Sequence, residues 1–173
     1  MIRNVHHRMI PADARVVGEL LDTLASDDDR LWPCHRWPAM RFTGPLGVGA
    51  VGGHGPVRYS CEDYVPGRRV TFRFRRPRGF VGTHGFVVEP VDASRTRLTH
   101  RLEIDARGPA RIGWPLIWRP LHDALIEDAL DRAENAVVPH RHREPRPLSG
   151  YVRLLRRCAS GRAVHPRRDR STV

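Results

Sequence analysis

The segment Trp114–Val138, WPLIWRPLHDALIEDALDRAENAVV, constrains this chain more than any other. It reads as one long amphipathic helix. Around His122 the positions at i−4, i+3, i+4 and i+7 are Trp118, Leu125, Ile126 and Ala129. At about 100° per residue these share a face with Leu121, Ala133 and Val137. Asp123, Glu127, Asp131 and Glu134 fall on the far face. A histidine in the middle of a buried stripe is either satisfied in the core or presented to an enclosed ligand. Which applies depends on what the helix covers.

The preceding residues supply that surface. From Met40 to Asp105 the apolar period is two. Val57, Tyr59 and Cys61 alternate with Arg58, Ser60 and Glu62, and Val70, Phe72 and Phe74 alternate with Thr71, Arg73 and Arg75. His84, Phe86 and Val88 then alternate with Gly85, Val87 and Glu89, and Leu98, His100, Leu102 and Ile104 with Thr99, Arg101, Glu103 and Asp105. Pro66-Gly67 and Asp92–Ser94 mark turns. This predicts consecutive antiparallel strands with one apolar and one charged face. Ahead of them, residues 2–10 read as a strand on Ile2, Val5, Met9 and Ile10. Asp13 then caps a helix carrying Val17, Leu20, Leu21 and Leu24 on one face. The fold class is α+β, with the last helix covering the apolar face of one sheet.

At 173 residues the chain suits one domain with a real core. Residues 1–138 form that domain, and residues 139–173 form an Arg/Pro-rich tail. The tail holds 10 Arg against Glu144 and Asp169, a net +8, while the body is only +3. It reads as largely flexible, with a short amphipathic helix over 150–158 on Tyr151, Leu154, Leu155 and Cys158. That helix offers weak contact with an anionic membrane surface, although a solvated tail or a helix packed on the body is the simpler reading. Nothing in it points to a specific nucleic-acid partner. All 30 basic residues are arginine, which excludes a Schiff-base lysine, a lysine general base and a P-loop lysine. Three scattered cysteines, no apolar leader at the start and no apolar run long enough to span a bilayer predict a cytoplasmic protein. The sequence leaves the oligomeric state unassigned.

In layout and residue style the chain resembles the START-like superfamily, also called the helix-grip or polyketide cyclase/dehydrase and lipid-transport superfamily. The resemblance rests on NVHHRMIPADARVVGELL, LWPCHRWPAMRF, VRYSCEDYVPGRRVTFRF, GTHGFVVEPVDASRTRLTHRLEI and the long last helix, and covers roughly residues 2–138. It implies a strongly curved sheet gripping the C-terminal helix, with an elongated apolar cavity between them. Members bind lipids, sterols, polyketides, plant hormones or quinones, and some are cyclases or dehydratases. Cofactors and metals are not typical of the ligand-binding branch, and none is expected here.

His84, His100 and His122 each sit among apolar neighbours of their own face, so all three point inward if the helix covers the sheet. A neutral imidazole donates at one nitrogen and accepts at the other, which suits it to orient a ligand carbonyl or hydroxyl. His122 and His100 are also the candidate proton carriers of a cyclase, aromatase or dehydratase. The expected ligand-binding set is Trp118, His122, Leu125, Ile126, His84, His100, Tyr59 and Phe72. A three-imidazole zinc site from His84, His100 and His122 lacks any HExxH or CxxC support. Gly47–Gly52 spells GxGxxG, but a β-type run follows it where a dinucleotide site needs a helix. His54, just beyond, reads as an exposed loop histidine. With no carboxylate pair in the interior and no nucleophile motif, the balance favours binding of a small hydrophobic ligand over catalysis.

Overall fold

The computed structural model describes residues 1–138 and 143–160. β1 (Ile2–Ile10) leads into α1 (Ala14–Asp22). Asp13 caps α1, its carboxylate accepting from the Arg15 amide. Then follow β2 (Arg41–Phe42), β3 (Val51–His54), β4 (Val57–Val65), β5 (Arg69–Arg76), β6 (Phe80–Asp92) and β7 (Arg95–Ala106). All seven strands join one antiparallel sheet in the order β1-β7-β6-β5-β4-β3-β2. β7 is followed by α2 (Ala110–Gly113), a π-helical turn (Trp114–Trp118), α3 (Arg119–Val137) and, after a connection, α4 (Gly150–Ser160).

The sheet curves because its backbone is locally broken. β4 and β5 slip register at Arg58/Tyr59 and at Cys61/Asp63, and such bulges bend a strand and raise its twist. At Gly82 (φ 153°) a Cβ would run into the Glu103 carbonyl, and at Gly85 into the Val70 carbonyl. Glycine at these two points lets β6 bend within the sheet. The inward residues then form one core. Val17, Leu20 and Leu21 of α1, Tyr59, Val70, Phe72 and Phe86 of the sheet, and Ile126, Ala129, Leu130 and Ala133 of α3 are almost fully buried in it.

α1 closes one end of the sheet. Gly18 packs so tightly on the β4–β5 turn that a Cβ there would strike the Gly67 backbone. Asp22 accepts from the Tyr64 hydroxyl and the Gly67 amide, both at 2.8 Å. We predict that Gly18→Val lowers the unfolding free energy by about 1–3 kcal/mol, the usual cost of overpacking. Urea unfolding measures it, and an unchanged midpoint would contradict the contact.

The last helix departs from the periodic reading in two ways. It begins earlier, at Ala110, and contains a π-helical turn. Pro115 and Pro120, five residues apart, both lack a backbone N–H. The Arg119 amide donates to the Trp114 carbonyl, a reach of five residues, and this wider turn accommodates the prolines. The second departure concerns the far face. Asp128, Asp131 and Glu134 are buried, because β1 and the Trp32–Trp37 loop cover that side. The residues after Val137 return to the body as well. Asn135 exchanges two hydrogen bonds with the Arg143 backbone, and Val152 of α4 is 6% exposed within the main core. Arg156 lies over the Trp37 ring at 4.6 Å. The remainder of the expected flexible tail, residues 139–142 and 161–173, lies outside the described residues.

Candidate functional site

Strand register lines up the interior rings. His6, His100 and Phe86 are directly paired across β1, β7 and β6. Leu102, His84 and Phe72 form the next rung across β7, β6 and β5. α3 lays His122 over the first rung. The result is a chain of rings through the protein. His122 lies 5.0 Å from His100, His100 5.7 Å from His84, and His84 4.8 Å from Tyr59. Tyr59 in turn lies 5.7 Å from His54, and His54 4.7 Å from Trp32. Phe72 and Phe74 flank His84, and Phe86 flanks His100.

The expected residues are thus distributed unevenly. His84, His100, His122, Tyr59 and Phe72 share this interior. Leu125 and Ile126 are buried in the core beside it. Trp118 differs from its helical projection. Its ring packs on Phe80 at 5.6 Å, while Trp114 reaches His122 at 5.9 Å. The π-helical turn resets the phase, so a spacing of eight puts Trp114 against the histidine. His54 corrects the loop reading. It ends β3 opposite Val57, is half-buried, and its Nδ1 lies 3.2 Å from the Tyr59 hydroxyl. Its signal was the GGHG-P pattern before a β-type run, which makes a tight hairpin as well as a loop.

Burial sets the electrostatics of the chain. His84 and His100 are 7% and 1% exposed, and desolvation pushes both well below the usual histidine range, with neighbouring histidines adding to it. Burial lowers His54 to about 3 and raises Tyr59 out of the normal phenol range. His122 is also lowered by burial, against the pull of Asp123. These groups are neutral near pH 7. His84 Nε2, His100 Nδ1 and both ring nitrogens of His122 are buried without a hydrogen-bond partner among the described residues. Each such atom costs roughly 1–3 kcal/mol if left unmade.

One end of the chain is charged. Every second residue of β1, Asn4, His6 and Arg8, faces α3. Asn4 Nδ2 donates to Asp123 at 2.9 Å. His6 lies 3.1 Å from Asp123 through Nε2 and 2.8 Å from Glu127 through Nδ1. Arg8 reaches Glu127 at 3.0 Å and Glu134 at 3.3 Å, and also bonds Asp131. The match is geometric. Two strand residues advance about 6.6 Å and four helical residues about 6.0 Å, so the partners stay in step. The hydrogen bond to Asp123 raises His6 above its ordinary value, with Glu127 adding to it and burial opposing. Burial would raise Asp123, but the His122 imidazole and hydrogen bonds from His6 and Asn4 hold it far below the carboxylate range.

Among the described residues, open clefts also lie outside this interior. One of about 310 Å³ is lined by Arg30, His35, Arg36, Asp128, Arg132 and Arg143 among others. Another lies between α1 and the β4–β5 turn. Of the four arginines lining the first, Arg36 is ion-paired with Asp128 and Arg143 with Glu134.

No family model matches the chain, and no curated protein matches it in sequence. Solved structures do match in shape. A protein from Nitrosospira multiformis is similar at 12% identity and TM-score 0.62, over 82% of this chain and 100% of that one. The protein XoxI from Bacillus cereus is similar at 13% identity and TM-score 0.60, over 83% and 100%. Norcoclaurine synthase from Thalictrum flavum, in complex with dopamine and hydroxybenzaldehyde, is similar at 17% identity and TM-score 0.59, over 82% and 90%. At these identities the likeness concerns the fold, and the fold is the helix-grip arrangement of a curved antiparallel sheet around a long C-terminal helix.

Proposed function

We propose that the protein binds a small ring-bearing hydrophobic molecule between the sheet and α3, with the buried imidazoles holding its polar group. One observation carries this reading: four nitrogens on His84, His100 and His122, unpartnered among the described residues, sit in an interior lined mainly by aromatic and aliphatic groups. A ligand carbonyl or hydroxyl would satisfy them, and Tyr59, Phe72 and Phe86 would stack on its rings. The norcoclaurine synthase of the same fold holds dopamine and hydroxybenzaldehyde, two ring-bearing molecules, which lends support by analogy. The rings of this interior are in contact, so a ligand enters by displacing side chains, and association is slower than encounter alone allows.

Binding is favoured over cyclase or dehydratase chemistry because of the same electrostatics. Imidazoles lowered by burial, His100 strongly and His122 less so, are weak bases at pH 7, whereas proton transfer works best with a pKa near the working pH. They serve better as fixed hydrogen-bonding groups. The three cysteines are free, in keeping with the reducing cytoplasmic location we assign.

Titration of the full chain with 2-naphthol, followed by its fluorescence, tests the reading. The expected result is saturable one-to-one binding that weakens about tenfold in His100→Phe, the loss of one good buried hydrogen bond. Non-saturable binding, or affinity unchanged from the unaltered chain in both His84→Phe and His100→Phe, would contradict it. His122→Ala separates the enzymatic alternative. Lost turnover of a candidate substrate with retained affinity would mark catalysis, and lost affinity without turnover in either form would mark binding.

A further inference from the structure

We propose that His6, His122 and Asp123 form a site for a divalent transition-metal ion of the zinc type. One ligand atom from each lies within 4.8 Å of the other two. Asp123 Oδ1 is 3.1 Å from His6 Nε2 and 3.7 Å from His122 Nδ1. A tetrahedral ion with bonds of about 2.0–2.1 Å holds its ligand atoms about 3.3–3.4 Å apart, a value that these two separations bracket. Two imidazoles and one carboxylate suit zinc or iron better than magnesium or calcium. Three protein ligands leave a position open for water or for a donor atom of a bound molecule.

The surroundings fit the same role. A ligating histidine ordinarily donates its second ring N–H to a carboxylate, which fixes the tautomer. His6 Nδ1 lies 2.8 Å from Glu127 Oε1, leaving Nε2 directed at Asp123. Asn4 Nδ2 holds the Asp123 oxygen from the other side at 2.9 Å, and the ligands stand on a strand and a helix rather than on loops. An imidazolium bridging two carboxylates accounts for His6 without a metal. It does not account for His122, whose Nδ1 is buried 3.7 Å from Asp123 Oδ1, beyond hydrogen-bond length, and neither of whose ring nitrogens has a hydrogen-bond partner among the described residues. On metal uptake the His6 Nε2 proton leaves to solvent and the cation takes its place between the imidazole and Asp123. This site differs from a His84–His100–His122 cluster and does not rest on the ligand reading.

Co(II) titration of the metal-free full chain, followed by visible absorption, is the test. We expect one equivalent to bind with a visible band. His122→Phe and Asp123→Asn should each weaken binding at least tenfold and remove the band, while the outward-facing His7→Ala leaves it intact. Circular dichroism checks the fold of each variant, and if His122→Phe does not fold, Asp123→Asn is decisive alone. Absence of a band in the unaltered chain, or its retention in either folded ligand variant, overturns the proposal. That outcome would leave 2-naphthol binding untouched, so the two readings fail separately.

Discussion

Arg8→Met is expected to lower the unfolding free energy by about 3 kcal/mol, the low end of the cost of removing one partner of a buried ion pair, because other arginines still reach the same carboxylates. Arg8 is 9% exposed and joins β1 to α3 through Glu127, Asp131 and Glu134. Asp131 and Glu134 are themselves 5% and 0% exposed. Without the guanidinium, Asp131 and Glu134 lose their most buried cation, and Arg146 at 3.6 Å and Arg143 at 2.8 Å offset it only in part. For a domain of this size the loss corresponds to a fall of roughly 10 °C in Tm. The deficit arises from excess buried negative charge rather than from a valuable bond. Arg8→Met combined with Asp131→Leu should therefore recover part of it, because replacing a buried ion pair with apolar groups is often neutral. Calorimetry of the single and double variants measures both effects. A double variant less stable than the single one would contradict this account.

The second large effect is acid destabilisation. His84 and His100 are held well below their ordinary value by burial, so the unfolded chain binds protons that the folded chain refuses. Their contribution to stability is complete above about pH 6.5, the unfolded value, and falls as pH drops toward their folded values. Two such groups give a slope of roughly 3 kcal/mol per pH unit below pH 6, and His54, lowered to about 3, adds to it. His6 acts in the opposite sense. Its raised value gives stability that is present below the unfolded value and lost as pH rises through the folded one. His122 is lowered by burial too, and one group against four does not reverse the trend. With ordinary stabilities of about 5–15 kcal/mol, the fold is expected to be lost between about pH 5 and pH 3. His84→Phe, placed among Tyr59, Phe72 and Phe74, should flatten the slope by about 1.4 kcal/mol per pH unit. Urea midpoints between pH 4 and pH 7 test it, and a slope identical to that of the unaltered chain would contradict the assignment.

The sheet was legible because each strand has one buried face, and alternation such as Val70, Phe72, Phe74 leaves no other phase. The inward placing of His84, His100 and His122 followed from the same periodicities. Two features escaped for definite physical reasons. A helical projection assumes 3.6 residues per turn throughout, and the turn between Pro115 and Pro120 is wider. Trp114 therefore takes the place beside His122 that projection gave to Trp118. Likewise, Asp123, Glu127, Asp131 and Glu134 fall away from the apolar stripe, but polarity alone does not say whether water or protein is opposite. Here it is β1. Its readable pattern was Val5 and Met9, which prove to be 40% and 37% exposed, while Asn4, His6 and Arg8 turn inward. The signal was present in the charge complement at spacings of two and four, and it required pairing a strand with a helix more than a hundred residues away.

In the proposed function this interior holds a small ring-bearing molecule against its buried imidazoles. Native mass spectrometry of the purified full chain tests it most directly. The account predicts a population heavier than the bare chain by the mass of one small organic molecule, returning to the bare mass after acid unfolding. A single species at the bare mass, unchanged after incubation with excess 2-naphthol, would contradict it.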